Sequence, residues 1–209
     1  MEIKAKIINE ASELVMQFGI RAVTMDDIAK NLGISKKTIY QYFKDKKELV
    51  NTVTELHLER EEERFTSSVK ESNDSIHELI LVSQCLRETM KDMKMNVLNE
   101  LQKFYPEAWN KYEHFKNKVM KETIMQTIVR GQKEGYFRST IDPELVATMR
   151  MEQVQTFMLK NLVPREKYAI AEVQMHLFDH FIHGLFTIKG HQLFNQYNNI
   201  KENQNETLV

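Results

Sequence analysis

The sequence predicts an all-α fold, with a small N-terminal helix-turn-helix head of three helices and a larger helical body. Three observations carry that prediction. Glycine and proline are scarce, six and three in 209 residues, and sheets need more turn residues than that. Apolar residues recur at three- and four-residue steps, the spacing of a helix face. Helix-start signals stand where those periodic stretches begin.

Taken in order, Ile7, Ile8, Ala11, Leu14, Val15 and Phe18 fall on one face of a first helix, and Gly19 is placed to end it. Thr24 opens a second helix with Asp27 at capping-box spacing, and Ile28, Ala29 and Leu32 form its inner face before Gly33 breaks it. Ser35 caps a short third helix that carries Thr38, Ile39 and Tyr42. Asp45 and Glu48 form another capping box, which starts a fourth helix running beyond Leu58. Asn73-Asp74-Ser75 is a break, with Ser75 and Glu78 spaced to cap the next helix. Pro106 interrupts the pattern, Trp109 to Lys133 reads as one long helix, and Gly135 ends it. Asp142-Pro143 is an N-cap followed by proline at the first helical position. Pro164 restarts the chain, the last helix runs to about Lys189, and the polar tail is expected to fray. The expected units are a head of residues 1–47, a ligand-binding and dimerisation body of 48–194 and a tail of 195–209.

Composition narrows the function. The chain is 42% apolar and 28% charged with a net charge of −1, so affinity for a polyanion has to come from local patterning. A single cysteine, Cys85, excludes an intramolecular disulfide framework and fits a reducing cytoplasm. The N-terminus lacks the apolar run of a secretory signal, and no run of about eighteen apolar residues is present to cross a membrane. No G-x-S-x-G, H-E-x-x-H, P-loop or G-x-G-x-x-G motif occurs, so no enzyme activity, cofactor or metal is expected.

The local patterning lies between Gly33 and Leu49, where Lys36, Lys37, Lys44, Lys46 and Lys47 stand against Asp45 and Glu48. Two helices crossing steeply over a short turn need a small residue at the approach and a residue tolerant of positive φ in the turn. Ala29 and Gly33 supply them. With Ile39 and Phe43 turned inward, Lys36, Lys37, Thr38 and Gln41 are left outward. Lysine can donate to guanine O6 and N7, glutamine can pair with adenine, and a threonine methyl can touch that of thymine. Tyr40, Tyr42, Ser35 and Lys46 are placed to reach phosphates. A solvated basic loop on an ordinary helical protein is the competing explanation for the lysines alone.

Residues 7 to 50 resemble the N-terminal domain of the TetR family of bacterial transcriptional repressors. The resemblance rests on Ile7, Ala11, Leu14, Phe18-Gly19, Thr24, Ile28-Ala29, Gly33-Ile34-Ser35, Thr38-Ile39-Tyr40, Tyr42-Phe43, Lys46 and Leu49. It implies base reading by Lys36, Lys37, Thr38 and Gln41, and phosphate binding by Thr24, Ser35, Tyr40, Tyr42 and Lys46. The pair Lys36-Lys37 departs from the more varied residues often found there, so the operator sequence does not carry over.

In the body, Ile170, Val173, Leu177, Phe181, Gly184 and Ile188 form one apolar stripe of the last helix. Met175, Phe178, Ile182, Leu185 and Phe186 form a second, expected to pack against another copy in a homodimer. The resemblance implies the same dimer. Adaptable and aromatic residues from Leu79 to Met158 point to a cavity for an apolar or amphipathic small molecule, with Met90, Met93, Leu101, Phe104, Tyr105, Trp109, Met125 and Phe157 as candidate lining. Ordinary core is the competing reading of each. His176, His180 and His183 share a polar face, and a pH-sensitive patch is as good an account of them as a metal site.

The expected function is a ligand-responsive repressor that binds a pseudo-palindromic double-stranded DNA operator as a dimer. A helical small-molecule carrier or enzyme whose head does not bind DNA is the alternative, and the sign of regulation stays open.

Overall fold

The computed structural model describes residues 2–91, 96–160, 162, 167–168 and 170–206, with side chains at all of these except 90–91, 170–171 and 199–206. Eleven α-helices follow one another among them: α1 (Ile3–Phe18), α2 (Met25–Leu32), α3 (Lys36–Tyr40), α4 (Lys46–Glu71), α5 (Ser75–Lys91), α6 (Val97–Phe104), α7 (Pro106–Phe115), α8 (Lys121–Glu134), α9 (Pro143–Leu159), α10 (Ile170–Leu185) and α11 (Ile188–Glu206). A five-residue π-turn, Lys116–Met120, joins α7 to α8, so the long helix expected after Trp109 begins at Pro106 and carries one wide turn. Pro164 lies outside the described residues.

The helix starts are set by short-range polar chemistry. Thr24 and Asp27 form a reciprocal capping box at 3.1 and 2.8 Å. Ser35 Oγ accepts from the Thr38 amide at 3.1 Å, and Asp142 Oδ1 from Leu145 at 2.9 Å. Such caps contribute about 1 kcal/mol each. Asp45 accepts from the Glu48 amide, but the Glu48 carboxylate returns to the Lys44 amide at 2.6 Å, one residue before the expected partner. At α5 the cap is Asp74, which accepts from Ile76 and His77, rather than Ser75. Ser75 gives its amide to Glu134 instead.

Ile7, Ile8, Ala11, Val15, Ile28, Ala29, Ile39, Phe43 and Leu49 close the head's core, while Phe18 is exposed rather than inward. Gly33 sits at φ 64° and lets α2 turn into α3. The same apolar cluster continues through Val97, Leu98 and Leu101 of α6 to Val154 and Met158 of α9, so the head is packed directly onto the body. A second cluster, with Phe65, Ile76, Ile128, Phe137, Met151 and Ile182, fills the far end.

The last helix departs from expectation. It stops at Leu185, and α11 restarts at Ile188 and continues through the polar stretch to Glu206. The break has a backbone cause: Arg138 donates to the Leu185 carbonyl and Thr187 to that of Tyr136, both at 2.9 Å, pulling the chain out of helical register. Thr187 then caps α11 by accepting from Gly190 at 3.1 Å. Gly131 is no helix terminator; a Cβ there would lie 2.0 Å from the Phe137 ring, so it makes room for that ring.

Candidate nucleic-acid interface and effector cavity

The short helix α3 has one buried and one open face. Ile39 and Phe43 are buried on its inner side, and Lys36, Lys37 and Gln41 are exposed on the other, with Thr38 half-buried between them. The Thr38 hydroxyl shares a 2.9 Å hydrogen bond with that of Ser35. Lys36 Nζ rests on Asp26 Oδ2 at 2.7 Å, a hydrogen bond that raises the lysine pKa above its ordinary value. Both partners are exposed, so the pair exchanges readily for a stronger anion. Tyr40 is exposed and Tyr42 half-buried. Thr24 gives both its N–H and its O–H to Asp27, leaving the unbonded amides at the start of α2 as the donors free for a phosphate.

Lys46 is placed differently from the sequence expectation. Its ammonium turns inward and donates to the carbonyls of Ile20, at 2.6 Å, and Val23. Burial lowers its pKa. The side chain thereby ties the α1–α2 loop to the start of α4. The same loop docks on α6: the Arg21 amide donates to Glu100 at 2.9 Å, and the Arg21 guanidinium lies 4.8 Å from the centre of the Phe104 ring. Gly19, at φ 92°, presents its bare Cα to the Asn96 amide, where a Cβ would come within 2.8 Å.

A cavity of about 120 Å³ runs between α1, α4 and α6, with Val154 and Met158 of α9 behind it. Its walls are almost wholly apolar, and α4 lines it from Lys46 to Phe65. It reaches Ile20, Val23 and Ile28, so its upper end lies within the head's own core. At the lower end His57, Glu61 and Thr89 border it. Glu61 and Thr89 are already matched: Glu61 accepts from Thr89 at 2.6 Å and from Arg64 at 3.0 Å, and Arg64 also holds Glu88 at 2.6 Å.

Residues 7–53 match the family described as "Bacterial regulatory proteins, tetR family". YvaF of Bacillus subtilis (strain 168), an uncharacterized HTH-type transcriptional regulator, is 28% identical over 184 residues, 86% of this chain and 94% of its own. A putative transcriptional regulator from Saccharomonospora viridis, solved in complex with choline, superposes with a TM-score of 0.75 at 21% identity, over 88% of this chain and 98% of that one. FadR from Bacillus subtilis, solved in complex with stearoyl-CoA, gives a TM-score of 0.64 at 20% identity, over 86% and 98%. Residues 7–53 thus carry a TetR-type N-terminal domain. The curated relatives it is similar to are named as transcriptional regulators, and no described helix of this chain is long and apolar enough to cross a membrane.

Of the residues picked from sequence as effector lining, Leu101 borders the 120 Å³ cavity. Tyr105 and Trp109 pack in the first cluster, Met125 packs against the second, Phe157 is half-buried away from the lining, and Phe104 is exposed beneath Arg21. Met93 and the side chain of Met90 lie outside the described residues. The cavity's principal wall, on α1 and α4, was missed. Its signal was there in Leu49, Val50, Val53 and His57, an inner face of α4 longer than the head alone needs to cover it.

The expected dimer stripe is divided. Ile182, Leu185 and Phe186 are 1, 2 and 5% exposed, taken up by the chain's own core around Phe137, so they have no surface to offer a second copy. Met175 is exposed and Phe178 half-buried. The open apolar side chains nearby are Leu145 and Met149 on α9 and Ile188 on α11. His176 and His180 are exposed, while His183 faces His191 at 3.2 Å and Asp179 at 3.3 Å.

Proposed function

We propose that this chain is a ligand-responsive DNA-binding repressor, acting as a homodimer on a pseudo-palindromic operator and released by an apolar or amphipathic small molecule. The head of residues 1–47 reads DNA, and the body of 48–194 holds the ligand and the dimer face. The observation that carries the reading is the continuity of α4: it opens beside the reading helix and lines the cavity over most of its length.

Lys36, Lys37, Thr38 and Gln41 face base edges, and Tyr40, Tyr42, Ser35 and the start of α2 face phosphates. Two such heads at about 34–36 Å read half-sites one turn apart. The exposed Leu145, Met149 and Met175 give α9 and α10 a face for the second copy. A ligand between α1, α4 and α6 displaces α4 and the loop that Lys46 ties to it, so the heads lose that spacing. The ligand has to bind the displaced shape better, and ~1–3 kcal/mol is a typical coupling. Ligands as unlike as choline and stearoyl-CoA occupy the S. viridis and FadR structures, which supports a body of this fold as a small-molecule receptor.

Gel shift of genomic fragments at graded salt tests the DNA arm. A palindromic fragment should be selected and its affinity should fall steeply as salt rises; equal retention of all fragments overturns the reading.

A further inference from the structure

The body buries four charged side chains among the described residues, and it balances three of them. Glu61 is matched by Arg64, Glu78 by Arg130 at 2.9 Å, and Lys116 by Glu113 and Glu152 at 3.2 Å each. Arg150 of α9 is the fourth, 5% exposed, and among the described residues no carboxylate pairs with it. Its guanidinium donates to Gln153 Oε1 at 3.0 Å and otherwise faces the rings of Phe178 and Phe181, at 6.0 and 5.4 Å. Burial lowers its pKa to about 10, which leaves it a cation at neutral pH. A buried cation without a counter-ion is costly, and folds rarely keep one without use.

Beside it stands a second unmet donor. Gln174 of α10 is 4% exposed and its Nε2 finds no acceptor. Arg150 and Gln174 line one small cavity of about 20 Å³ together with Arg87 and Ser83, and the Ser83 hydroxyl is committed to the Ile80 carbonyl at 2.8 Å. The space therefore presents two cations and an unmet N–H donor, and no carboxylate is among the residues that line it. Its size admits an oxygen or two, about what a single water needs, and not a phosphate or nucleotide head. Leu86 and Val154 line both this space and the 120 Å³ apolar cavity, so two aliphatic side chains form the partition between them.

We propose that the effector is a small carboxylic acid, with its hydrocarbon in the apolar cavity and its carboxylate past Leu86 and Val154 on Arg150 and Gln174. This rests on the reading of the cavity as the effector site and names the ligand class. The other end of the cavity suits an anion poorly, because Glu61 and Glu88 stand there with their hydrogen-bond partners in place. An apolar cavity of comparable size takes a benzene ring, so a short aliphatic or single-ring acid fits the measured space.

Calorimetric titration of the full chain with octanoate, and with 1-octanol as the uncharged probe, tests the assignment. Octanoate should bind, and Arg150→Met should weaken it roughly tenfold or more, the scale of a lost charge-assisted pair, while 1-octanol keeps its affinity. Gln174→Leu should weaken octanoate less, again sparing 1-octanol, and it serves if Arg150→Met does not fold. Equal losses for both probes, or octanoate binding unchanged in either variant, overturn the proposal. So does chloride that stabilises the protein and blocks octanoate from binding, which assigns the space to a monoatomic anion. A dimer that dissociates in Arg150→Met gives the guanidinium to a carboxylate of the second copy and also overturns it. Operator gel shift separates this from the broader reading: release by 1-octanol but not octanoate keeps the effector cavity and removes the carboxylate, whereas binding of both without release removes the regulatory role of the cavity.

Discussion

The helix starts of the head and the buried charges of the body find their partners over different distances along the chain. In the head, Thr24 meets Asp27, Ser35 meets Thr38 and Asp45 meets Glu48, each three residues apart. In the body, Arg130 reaches back 52 residues to Glu78, Thr89 reaches 28 to Glu61 and Lys116 reaches 36 forward to Glu152. The head's helix starts are thus written locally, and Lys37 and Gln41 are left exposed. The body spends its charges on its own architecture, and its unspent donors are few enough to read as a site.

The largest expected effect comes from breaking a body pair. Arg130→Met leaves the 3% exposed Glu78 carboxylate without its cation, and about 3–5 kcal/mol of stability should go. Urea unfolding should show a lower midpoint at unchanged slope. Lys37→Ala in the head should stay within about 0.5 kcal/mol. Similar losses in the two variants would erase the contrast.

Next comes Lys46, the side chain on which sequence and structure differ. Lys46→Met removes two hydrogen bonds from a charged donor to the Ile20 and Val23 carbonyls, each worth about 1.5–3 kcal/mol. Stability should drop, and DNA affinity should drop alike on every sequence as the head loses its seat on α4. If stability holds and the salt slope falls by about 1 instead, the ammonium sits on a phosphate in the complex.

That case shows what the sequence could and could not disclose. The helix-turn-helix was legible because a cap needs two residue types at a fixed short spacing, and because Gly33 and Ala29 mark a turn and a close approach. The ties from Lys46 to the carbonyls of Ile20 and Val23 were not legible, because no side-chain pattern records a backbone partner. The cavity was sought among methionines and aromatics after Leu79, yet it forms where α1, α4 and α6 converge, and convergence of distant helices has no period. The buried stripe of Ile182, Leu185 and Phe186 was indistinguishable from a dimer face. Either use demands the same apolar residues, and only the Phe137–Phe186 packing, 5.9 Å between ring centres, decides it.

A finer effect separates reading from holding within the head. Gln41→Ala should leave stability and salt slope in place and relax preference at one base pair, by about 1–3 kcal/mol of discrimination. Competition binding with operators permuted one position at a time measures it. A uniform loss at every position would make Gln41 a positioning contact rather than a base reader.

The smallest effect falls on pH, and again it distinguishes the two regions, because residues 1–49 contain no histidine. His57 borders the cavity. Burial lowers its pKa below the ordinary 6.5, with Arg60 and Arg64 acting in the same direction and Glu61 against them. A folded-state pKa below the unfolded one means that the unfolded chain binds the extra proton first. The stability due to neutral His57 is therefore complete above 6.5 and is lost as pH falls from there toward the folded value. One proton limits the slope to about 1.4 kcal/mol per pH unit. Urea unfolding across that window should show the slope in the wild type and lose most of it in His57→Gln, which keeps a polar group at the cavity wall without a titrating one. A slope that survives the substitution would move the acid sensitivity elsewhere in the body and leave the α4 wall of the cavity indifferent to protons.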